Sequence, residues 1–259
     1  MKTGIYYDEE RLKANGWFAE TLKKELESRG CEAFIAMTGD FSVIPDVAVM
    51  RAVDYRFSKT LEEQGVKVVN NSRVAKIAND KAESKLYALN LGIPVMTGTV
   101  GNAESSAYIT YPKIVKSRYG HGGTDVYMVK NHREYAKAFG EIGEKNVLIE
   151  NVASGLGKDL RVYVFGGKML CGVLRESKTD FRSNFSLGGS AKVVEIPDDA
   201  REYTERFIKD LNVTFAGIDF VFDKGKAKFN EAEDVVGCRM LYELNVCDPI
   251  KLYADEILK

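Results

Sequence analysis

A group of acidic residues near the end of the sequence has the spacing of a metal site. Side chains alternate along a strand, so Glu231 and Glu233 would point to the same face. Residues 223–227 (Asp-Lys-Gly-Lys-Ala) are a turn signal in which Gly225 tolerates positive φ, and folding there sets Asp219 nearly opposite Glu231. Because converging carboxylates need a cation when they are desolvated, the pattern predicts a metal site at one end of a hairpin. A solvated charged turn is the alternative.

The same strand alternation predicts apolar neighbours for these acids. Val221, Ala227 and Phe229 would share their face, so the acids would interrupt a surface that otherwise turns to the core. A ligand set made only of oxygen suits Mg²⁺, which takes one or two carboxylates and completes its shell with water and phosphate oxygens. The expected ion is therefore Mg²⁺.

Two lysines and a glycine loop could supply a phosphate site. Lys116 ends a predicted apolar strand, which is an unusual place for an ammonium group unless it meets an anion, whereas Lys81 alone could be a surface residue. Gly120, Gly122 and Gly123 lie between two predicted strands. The glycines of a dinucleotide fingerprint or a P-loop lie instead between a strand and a helix. Such a loop could cover phosphates with its backbone N–H groups, and an ordinary hairpin turn is the alternative.

Arginines and acids at strand ends predict an anion clamp. Asp159 and Arg161 lie two residues apart on one predicted strand, and Arg175 ends the next. Arginine binds phosphate or carboxylate through two parallel hydrogen bonds, so the pair would face the metal site. Glu150 ends a further strand, and the segment 180–189 follows Arg175. Internal salt bridges are the alternative for each of these residues.

The elements that would position these residues fall into three blocks. Strands alternate with helices over residues 1–75 and predict a small parallel sheet wrapped by helices. A small β-rich lobe is expected over 76–150 and a larger α+β lobe over 151–259. The predicted strands are 1–7, 31–36, 47–50, 66–70, 113–117, 124–129, 147–150, 160–165 and 168–174, with the acidic hairpin after them, and the predicted helices are 17–29, 56–64, 72–92, 130–142, 201–211 and 248–258.

Composition excludes several classes of function. The chain has 259 residues, is 45% hydrophobic and 29% charged, and carries a net charge of −1, which provides no overall field for nucleic acid. Four cysteines without CxxC spacing and two histidines argue against a zinc site. No signal peptide and no apolar run of about 18 residues is found, so we expect a cytoplasmic protein without a membrane span.

The order of these motifs resembles the ATP-grasp superfamily, most closely the RimK-type carboxylate–amine ligases, over roughly residues 66–245. The resemblance implies an ATP-grasp fold of the α/β and α+β classes, in which a small Rossmann-like N-terminal lobe precedes two α+β lobes that hold ATP between them. The motifs that carry it are Lys158-Asp-Leu-Arg161, Arg175, Asp180-Phe-Arg-Ser-Asn-Phe185, Gly188-Gly189, Ala216-Gly-Ile-Asp219 and Glu231-Ala-Glu233.

The resemblance also implies a role for each candidate site residue. The residues expected to bind ATP are Lys81 and Lys116 at the phosphates, Gly120, Gly122 and Gly123 in a covering loop, Glu150, Asn151 and Val152 in a hinge that reads adenine, and Asp159 at the ribose. The expected metal ligands are Asp219, Glu231 and Glu233, with Glu231 bridging two Mg²⁺ ions that Mn²⁺ can replace. The residues expected to face the γ-phosphate and the acyl group are Arg161, Arg175 and Asn184.

Two departures from the family pattern lie beside the expected metal site. Glu233 stands where the family usually has asparagine, which makes the site more negative. The sequence Asp234-Val-Val236 replaces a run of small residues and proline, and this leaves the substrate side of the site undefined.

The activity implied is Mg²⁺- and ATP-dependent joining of a carboxylate to an amine through an acyl phosphate, with release of ADP and phosphate and without a serine or cysteine nucleophile. The expected partners are small-molecule or peptide carboxylates and amines, with neither nucleic acid nor membrane, and a homo-oligomer is left open. The alternatives are an ATP-grasp kinase that stops at phosphorylation and a nucleotide-binding module without turnover.

Overall fold

Three β-sheets organise the chain. The computed structural model describes residues 1–120, 123–183 and 189–259, and the strands in these ranges form a four-stranded, a second four-stranded and a five-stranded sheet. The predicted α/β and α+β architecture is confirmed. The lobe boundaries at 75/76 and 150/151 stay a prediction.

The first sheet is parallel, as the sequence predicted. Its strands, in the order β2-β1-β3-β4, are β1 (Lys2–Tyr7), β2 (Glu32–Met37), β3 (Val47–Met50) and β4 (Lys67–Val69). Helix α1 (Glu9–Ser28) follows β1, and α2 (Tyr55–Glu63) connects β3 to β4. The chain passes from β1 to β2 on one side of the sheet and from β3 to β4 on the other side. The strand order therefore reverses between β1 and β3.

Helix α1 begins where Asp8 accepts a hydrogen bond from the Arg11 N–H at 2.8 Å, which satisfies one of its free N–H groups. The helix buries an apolar stripe that includes Phe18, Leu22 and Leu26. Trp17, the first residue of the helix predicted over 17–29, is not buried with this stripe, since it is 66% exposed. Trp17 falls at the edge of the stripe, where its ring packs edge-on against Tyr242 instead.

The second sheet is antiparallel. Its strands, in the order β5-β8-β6-β7, are β5 (Gly98–Gly101), β6 (Lys113–Lys116), β7 (Val126–Val129) and β8 (Val147–Asn151). Helix α5 (His132–Ile142) covers the sheet, and Tyr135 packs in a small core with Val115 and Ile149. Sequence reasoning missed β5, because glycine is rare in strands. A side chain at Gly98 would come within 2.5 Å of the Ile149 carbonyl oxygen, so the close strand pairing requires glycine there.

The third sheet is antiparallel and carries most of the candidate site. Its strands, in the order β11-β10-β9-β12-β13, are β9 (Lys158–Phe165), β10 (Lys168–Glu176), β11 (Ser190–Val194), β12 (Phe215–Asp223) and β13 (Lys226–Glu233). One face packs Leu160, Ile218 and Phe229 in a core with the helices α3 (Ser72–Ala78), α4 (Lys81–Asn90) and α6 (Asp198–Leu211). The opposite face carries the charged residues.

The acidic hairpin forms with the predicted register at its metal end. Asp219 lies directly opposite Glu231 across β12 and β13. The connecting turn places Lys224 at φ 50° and Gly225 at φ 75°, so both central residues are left-handed, as tight hairpins favour. This part of the prediction is confirmed.

A β-bulge shifts the alternation in the middle of the hairpin. Phe220 pairs with Phe229 and Asp219 pairs with Glu231, so Asn230 is an extra residue on β13. Phe229 therefore packs in the core, as does Ala227, while the acids point the other way. The prediction that both apolar residues share the face of the acids is wrong, because one inserted residue reverses the parity of a strand.

The predicted helix over 72–92 is two helices. Asp80 interrupts it by accepting hydrogen bonds from the N–H groups of Ala82 and Glu83, which starts α4 at Lys81. The chain ends with α7 (Arg239–Glu243) and α8 (Pro249–Ile257), and Tyr253 of α8 packs in the core of the first sheet. Within the described ranges, none of the helices is both long enough and apolar enough to cross a lipid bilayer.

Candidate active site

Asp219 is the centre of the charged face of the third sheet. It lies opposite Arg161 on β9 and opposite Glu231 on β13. Arg161 Nε donates to Asp219 Oδ1 at 2.8 Å and Arg161 Nη2 donates to Oδ2 at 2.7 Å. Both residues are buried, so this charge-assisted pair is fixed in geometry.

Arg175 on β10 extends this network. Its guanidinium donates to Asp159 Oδ1 at 2.6 Å and Oδ2 at 2.8 Å, and its Nη2 also donates to Asp219 Oδ2 at 2.8 Å. The expected placement of Asp159 and Arg161 on one face of β9 is confirmed, since both line the same cavity. The internal salt bridges considered as an alternative are formed, and the arginines that form them also face the cavity.

Three carboxylates come together beside these arginines. One oxygen from each of Asp219, Glu231 and Glu233 lies within 4.8 Å of the others. Lys81 Nζ lies 2.9 Å from Glu231 Oε2, and Arg161 Nη2 lies 2.9 Å from Glu233 Oε2. Carboxylate oxygens at this spacing fit a hard divalent cation that completes its shell with water and phosphate oxygens. We refer to these three residues as the acidic trio.

The environment splits the pKa values of the acidic trio. Burial acts to raise the pKa of Asp219, but Arg161 and Arg175 outweigh it and lower that pKa to about 2. Burial likewise opposes ionisation of Glu231, and Lys81 holds its pKa below the usual range. Burial raises the pKa of Glu233, and the negative charges of Asp219 and Glu231 add to this effect. Arg161 acts in the opposite direction and does not outweigh them.

A buried lysine pair is formed by Lys116 of the second sheet and Lys85 of helix α4. Lys116 Nζ lies 2.7 Å from Glu150 Oε2, and Lys85 Nζ lies 2.7 Å from Glu150 Oε1. Lys116 also donates to Asn230 Oδ1 at 2.9 Å, which brings the bulge of β13 against β6. Lys116 does contact an anion, Glu150, whereas its expected contact with ATP phosphate stays a prediction. Two cations share one carboxylate here, so the group of Lys85, Lys116 and Glu150 keeps a net positive charge that could bind a phosphate.

The covering loop and the hinge are placed only in part. Gly120 O accepts a hydrogen bond from Lys81 Nζ, and Gly123 O accepts one from Arg182 Nη1 at 3.1 Å. Gly122 and Asn184 lie outside the described residues.

In the predicted hinge, Glu150 and Asn151 line the cavity, whereas Val152 does not. The Asn151 N–H donates to Thr97 O at 2.9 Å, so that donor is already used. Adenine and ribose roles for Glu150, Asn151, Val152 and Asp159 stay predictions.

A single cavity of about 690 Å³ joins these groups. It runs from Lys116 and Glu150 across the charged face of the third sheet to the first sheet, where Arg51 follows β3 directly. Its volume suits a nucleotide together with a second small ligand. The residues that line its far end include Arg11, Trp17, Arg51, Arg239 and Tyr242.

Sequence reasoning missed two neighbours of the candidate site. Lys85 follows Lys81 by one helical turn, so the spacing of four residues could have placed it on the same face. Asn230 was hidden by the bulge. Asp234, which the sequence marks as a departure from the family pattern, is buried and accepts a hydrogen bond from Asn79 Nδ2 at 2.8 Å, and that burial was not predicted.

The chain is similar to known proteins over most of its length. A family model of the RimK-like ATP-grasp domain matches residues 59–246. An uncharacterised protein of Mycoplasma pneumoniae, a homologue of MG011, is 25% identical over 94% of this chain and 87% of its own length. The glutamate–LysW ligase ArgX of Sulfurisphaera tokodaii is 26% identical over 82% of both chains.

Solved structures share the fold. A RimK domain ATP-grasp protein of Sphaerobacter thermophilus superposes with a TM-score of 0.73 at 19% identity, covering 100% of both chains. The D-alanine–D-alanine ligase of Bacillus anthracis gives a TM-score of 0.78 at 16% identity, covering 100% of this chain and 95% of its own.

Proposed function

The chain belongs to the RimK-like ATP-grasp family, and from this membership we propose that it joins a carboxylate to an amine through an acyl phosphate, releasing ADP and phosphate. The protein is an ATP-dependent ligase that forms carbon–nitrogen bonds. The finer proposal concerns its route and its substrates. The observation that carries it is the acidic trio, flanked by Arg161 and Arg175 on one sheet, with Lys116 of another sheet bonded to Asn230 beside Glu231.

The proposed reaction has two steps. A carboxylate oxygen attacks the γ-phosphorus of ATP, the bond to the β-phosphate oxygen breaks, and ADP leaves. The amine then attacks the acyl carbon, phosphate leaves, and the nitrogen gives up a proton. Phosphoryl transfer needs charge neutralisation more than covalent help, and the site is built from fixed charges.

Each charged group has a place in this proposal. Lys81 and Lys116 hold phosphate oxygens, and Arg161 and Arg175 neutralise charge at the transferred group. Asp219, Glu231 and Glu233 would hold two Mg²⁺ ions, which Mn²⁺ could replace, and these ions would supply positive charge for the phosphate oxygens. Loss of one such preorganised contact costs about a hundredfold in rate or more.

The first substrates to test come from the relatives. One relative is named for ligation of glutamate to LysW and another as a probable alpha-L-glutamate ligase, so we propose glutamate as the first candidate. The arginines at the far end of the cavity are compatible with a carboxylate-bearing substrate. Small-molecule and peptide partners remain within the proposal.

Release of ADP from Mg-ATP tests the function. The full chain is incubated with pools of acids and amines that include glutamate and peptides, and mass spectrometry searches for a product whose mass is that of acid plus amine minus water. Glu231→Gln protein, prepared in the same way, is the control for contaminating ATPase. A stable phosphorylated acid formed without any amine would show a kinase instead. Binding of Mg-ATP without ADP release from any pool would favour a nucleotide-binding module.

A further inference from the structure

Every carboxylate of the acidic trio is already held by a cation of the chain itself. Arg161 donates to Asp219 at 2.8 Å and 2.7 Å and lies 2.9 Å from Glu233. Lys81 Nζ lies 2.9 Å from Glu231. A divalent ion that entered this trio would therefore meet two positive side chains that use the same oxygens.

The two cations differ in how firmly they are held. Arg161 lies on a central strand and forms two parallel hydrogen bonds with Asp219, so its guanidinium has a fixed position. Lys81 is the first residue of a separate element, helix α4, and reaches the trio through a flexible four-carbon stem. Lys81 Nζ also donates a hydrogen bond to the carbonyl oxygen of Gly120. Of the two cations that contact the acidic trio, Lys81 is therefore the one that can change partner without disturbing the sheet.

Electrostatics sets the cost of leaving Lys81 in place. Two like charges a few ångströms apart repel strongly where water is largely excluded, and a divalent ion doubles the repulsion that a unit charge would cause. The side chain of Lys81 is only 11% exposed, so water screens little of this repulsion. A triphosphate would provide a competing anion for the ammonium group and would free Glu231 for the metal.

We propose that Lys81 is an internal counter-ion of the metal site, so that a divalent ion binds tightly only together with the nucleotide phosphates that draw Lys81 away from Glu231. This inference rests on the proposed function and adds an order of binding to it. In it, Lys81 has two roles of opposite sign. It weakens metal binding in the nucleotide-free protein, and it strengthens binding of the metal–nucleotide complex.

Binding of Mn²⁺ to the full-length protein tests the first role. Free Mn²⁺ is measured by electron paramagnetic resonance during titration of the wild type, Lys81→Met and Lys81→Gln without nucleotide. We expect both variants to bind Mn²⁺ about tenfold more tightly or better, because the repulsive charge is gone. Lys76→Met is the control, since Lys76 is a lysine of helix α3 that contacts the Tyr55 ring and does not line the cavity, and its Mn²⁺ affinity should stay within about twofold of the wild type.

The same titration with AMPPNP tests the second role. The wild type should gain at least about a hundredfold in Mn²⁺ affinity when AMPPNP is present, and the Lys81 variants should bind Mn²⁺–AMPPNP about tenfold more weakly than the wild type. Equal Mn²⁺ affinity of the wild type with and without AMPPNP, or folded Lys81 variants that bind Mn²⁺ no more tightly than the wild type, would overturn the inference. If the wild type failed to bind Mn²⁺–AMPPNP at all, the proposed function itself would fail.

Discussion

Two neighbouring groups of charges contribute side chains to the cavity, and their imbalances have opposite sign. The group around the acidic trio has more acids than cations: Asp159, Asp219, Glu231 and Glu233 against Arg161, Arg175 and Lys81 of helix α4. The group around Glu150 has more cations than acids: Lys116 of the second sheet and Lys85 of helix α4 against Glu150.

The comparison teaches why one ligand suits both groups. A buried charge without a partner is costly, so the acid-rich group favours an added cation and the lysine pair favours an added anion. A divalent metal with a nucleotide triphosphate brings both charges at once. The predictions below remove one side of this comparison at a time.

The largest effect is expected at the acid-rich group. Glu231→Gln should lower ADP release by about a thousandfold or more, because a central metal ligand is lost while the fold is kept. Initial rates at saturating ATP and thermal unfolding of the same preparation measure both parts. Glu202→Gln is the control, since Glu202 pairs with Arg206 on the exposed side of α6, neither residue lines the cavity, and the rate should stay unchanged. Full activity of Glu231→Gln at ordinary Mg²⁺ concentration would refute the metal assignment.

The cation-rich group comes next. Lys116→Met should weaken binding of Mg-AMPPNP by about a hundredfold, because it removes the buried ammonium group proposed to bind a phosphate. It also leaves the Glu150 carboxylate with one of its two lysine partners. Isothermal titration calorimetry provides the affinity. Lys113→Met is the control on the same strand, as Lys113 contacts the Asn151 side chain and does not line the cavity. Equal losses in the two variants would mean that general damage to the strand, not a phosphate contact, explains the result.

A smaller effect should separate two roles of Asp159. If its carboxylate holds the ribose, Asp159→Asn raises the Michaelis constant for ATP by about tenfold and changes kcat less. Because both of its oxygens accept from Arg175, a role in orienting that arginine would lower kcat at unchanged ATP affinity instead. Steady-state kinetics with ATP as the varied substrate distinguishes the two, and the ribose assignment is dropped if only kcat falls.

The smallest effect concerns pH. Burial lowers the pKa of Lys85 to about 8, and Lys116 adds to this against the pull of Glu150. A lysine whose pKa is depressed in the folded state stabilises the fold above its unfolded pKa, near 10.4, and this contribution is lost as pH falls toward 8. Relative to Lys85→Met, the wild type should therefore gain at least about 1 kcal/mol in free energy of unfolding between pH 8 and pH 10. Urea titration at each pH measures this free energy. An equal change between pH 8 and pH 10 in the two proteins would contradict the lowered pKa of Lys85.

The sequence predicted the parts of the site that depend on local spacing. The tight turn at Gly225 brings Asp219 close to Glu231, and the bulge at Asn230 sets the two directly opposite, because an unbroken register would pair Asp219 with Asn230. Likewise, two residues of separation put Asp159 and Arg161 on one face of β9. These relations hold within one hairpin or one strand, where the periodicity of the chain decides them.

What the sequence could not predict depends on contacts between distant segments. The bulge at Asn230 is formed against β12, and it reversed the faces of Ala227 and Phe229. Trp17 lies at the edge of its helical stripe, and packing against Tyr242 decided where its ring lies. The pairing of Lys85 with Glu150 joins residues 65 positions apart, so no local pattern contains it.

Transfer of an oxygen isotope tests the central claim most directly. An acid that supports ADP release is labelled with ¹⁸O in its carboxylate, and the phosphate released in the presence of the amine is analysed by mass spectrometry. Attack of the carboxylate on the γ-phosphorus predicts one ¹⁸O atom in each phosphate, together with an amide product that keeps the other. Phosphate without ¹⁸O, formed while the amide accumulates, would contradict the acyl-phosphate route.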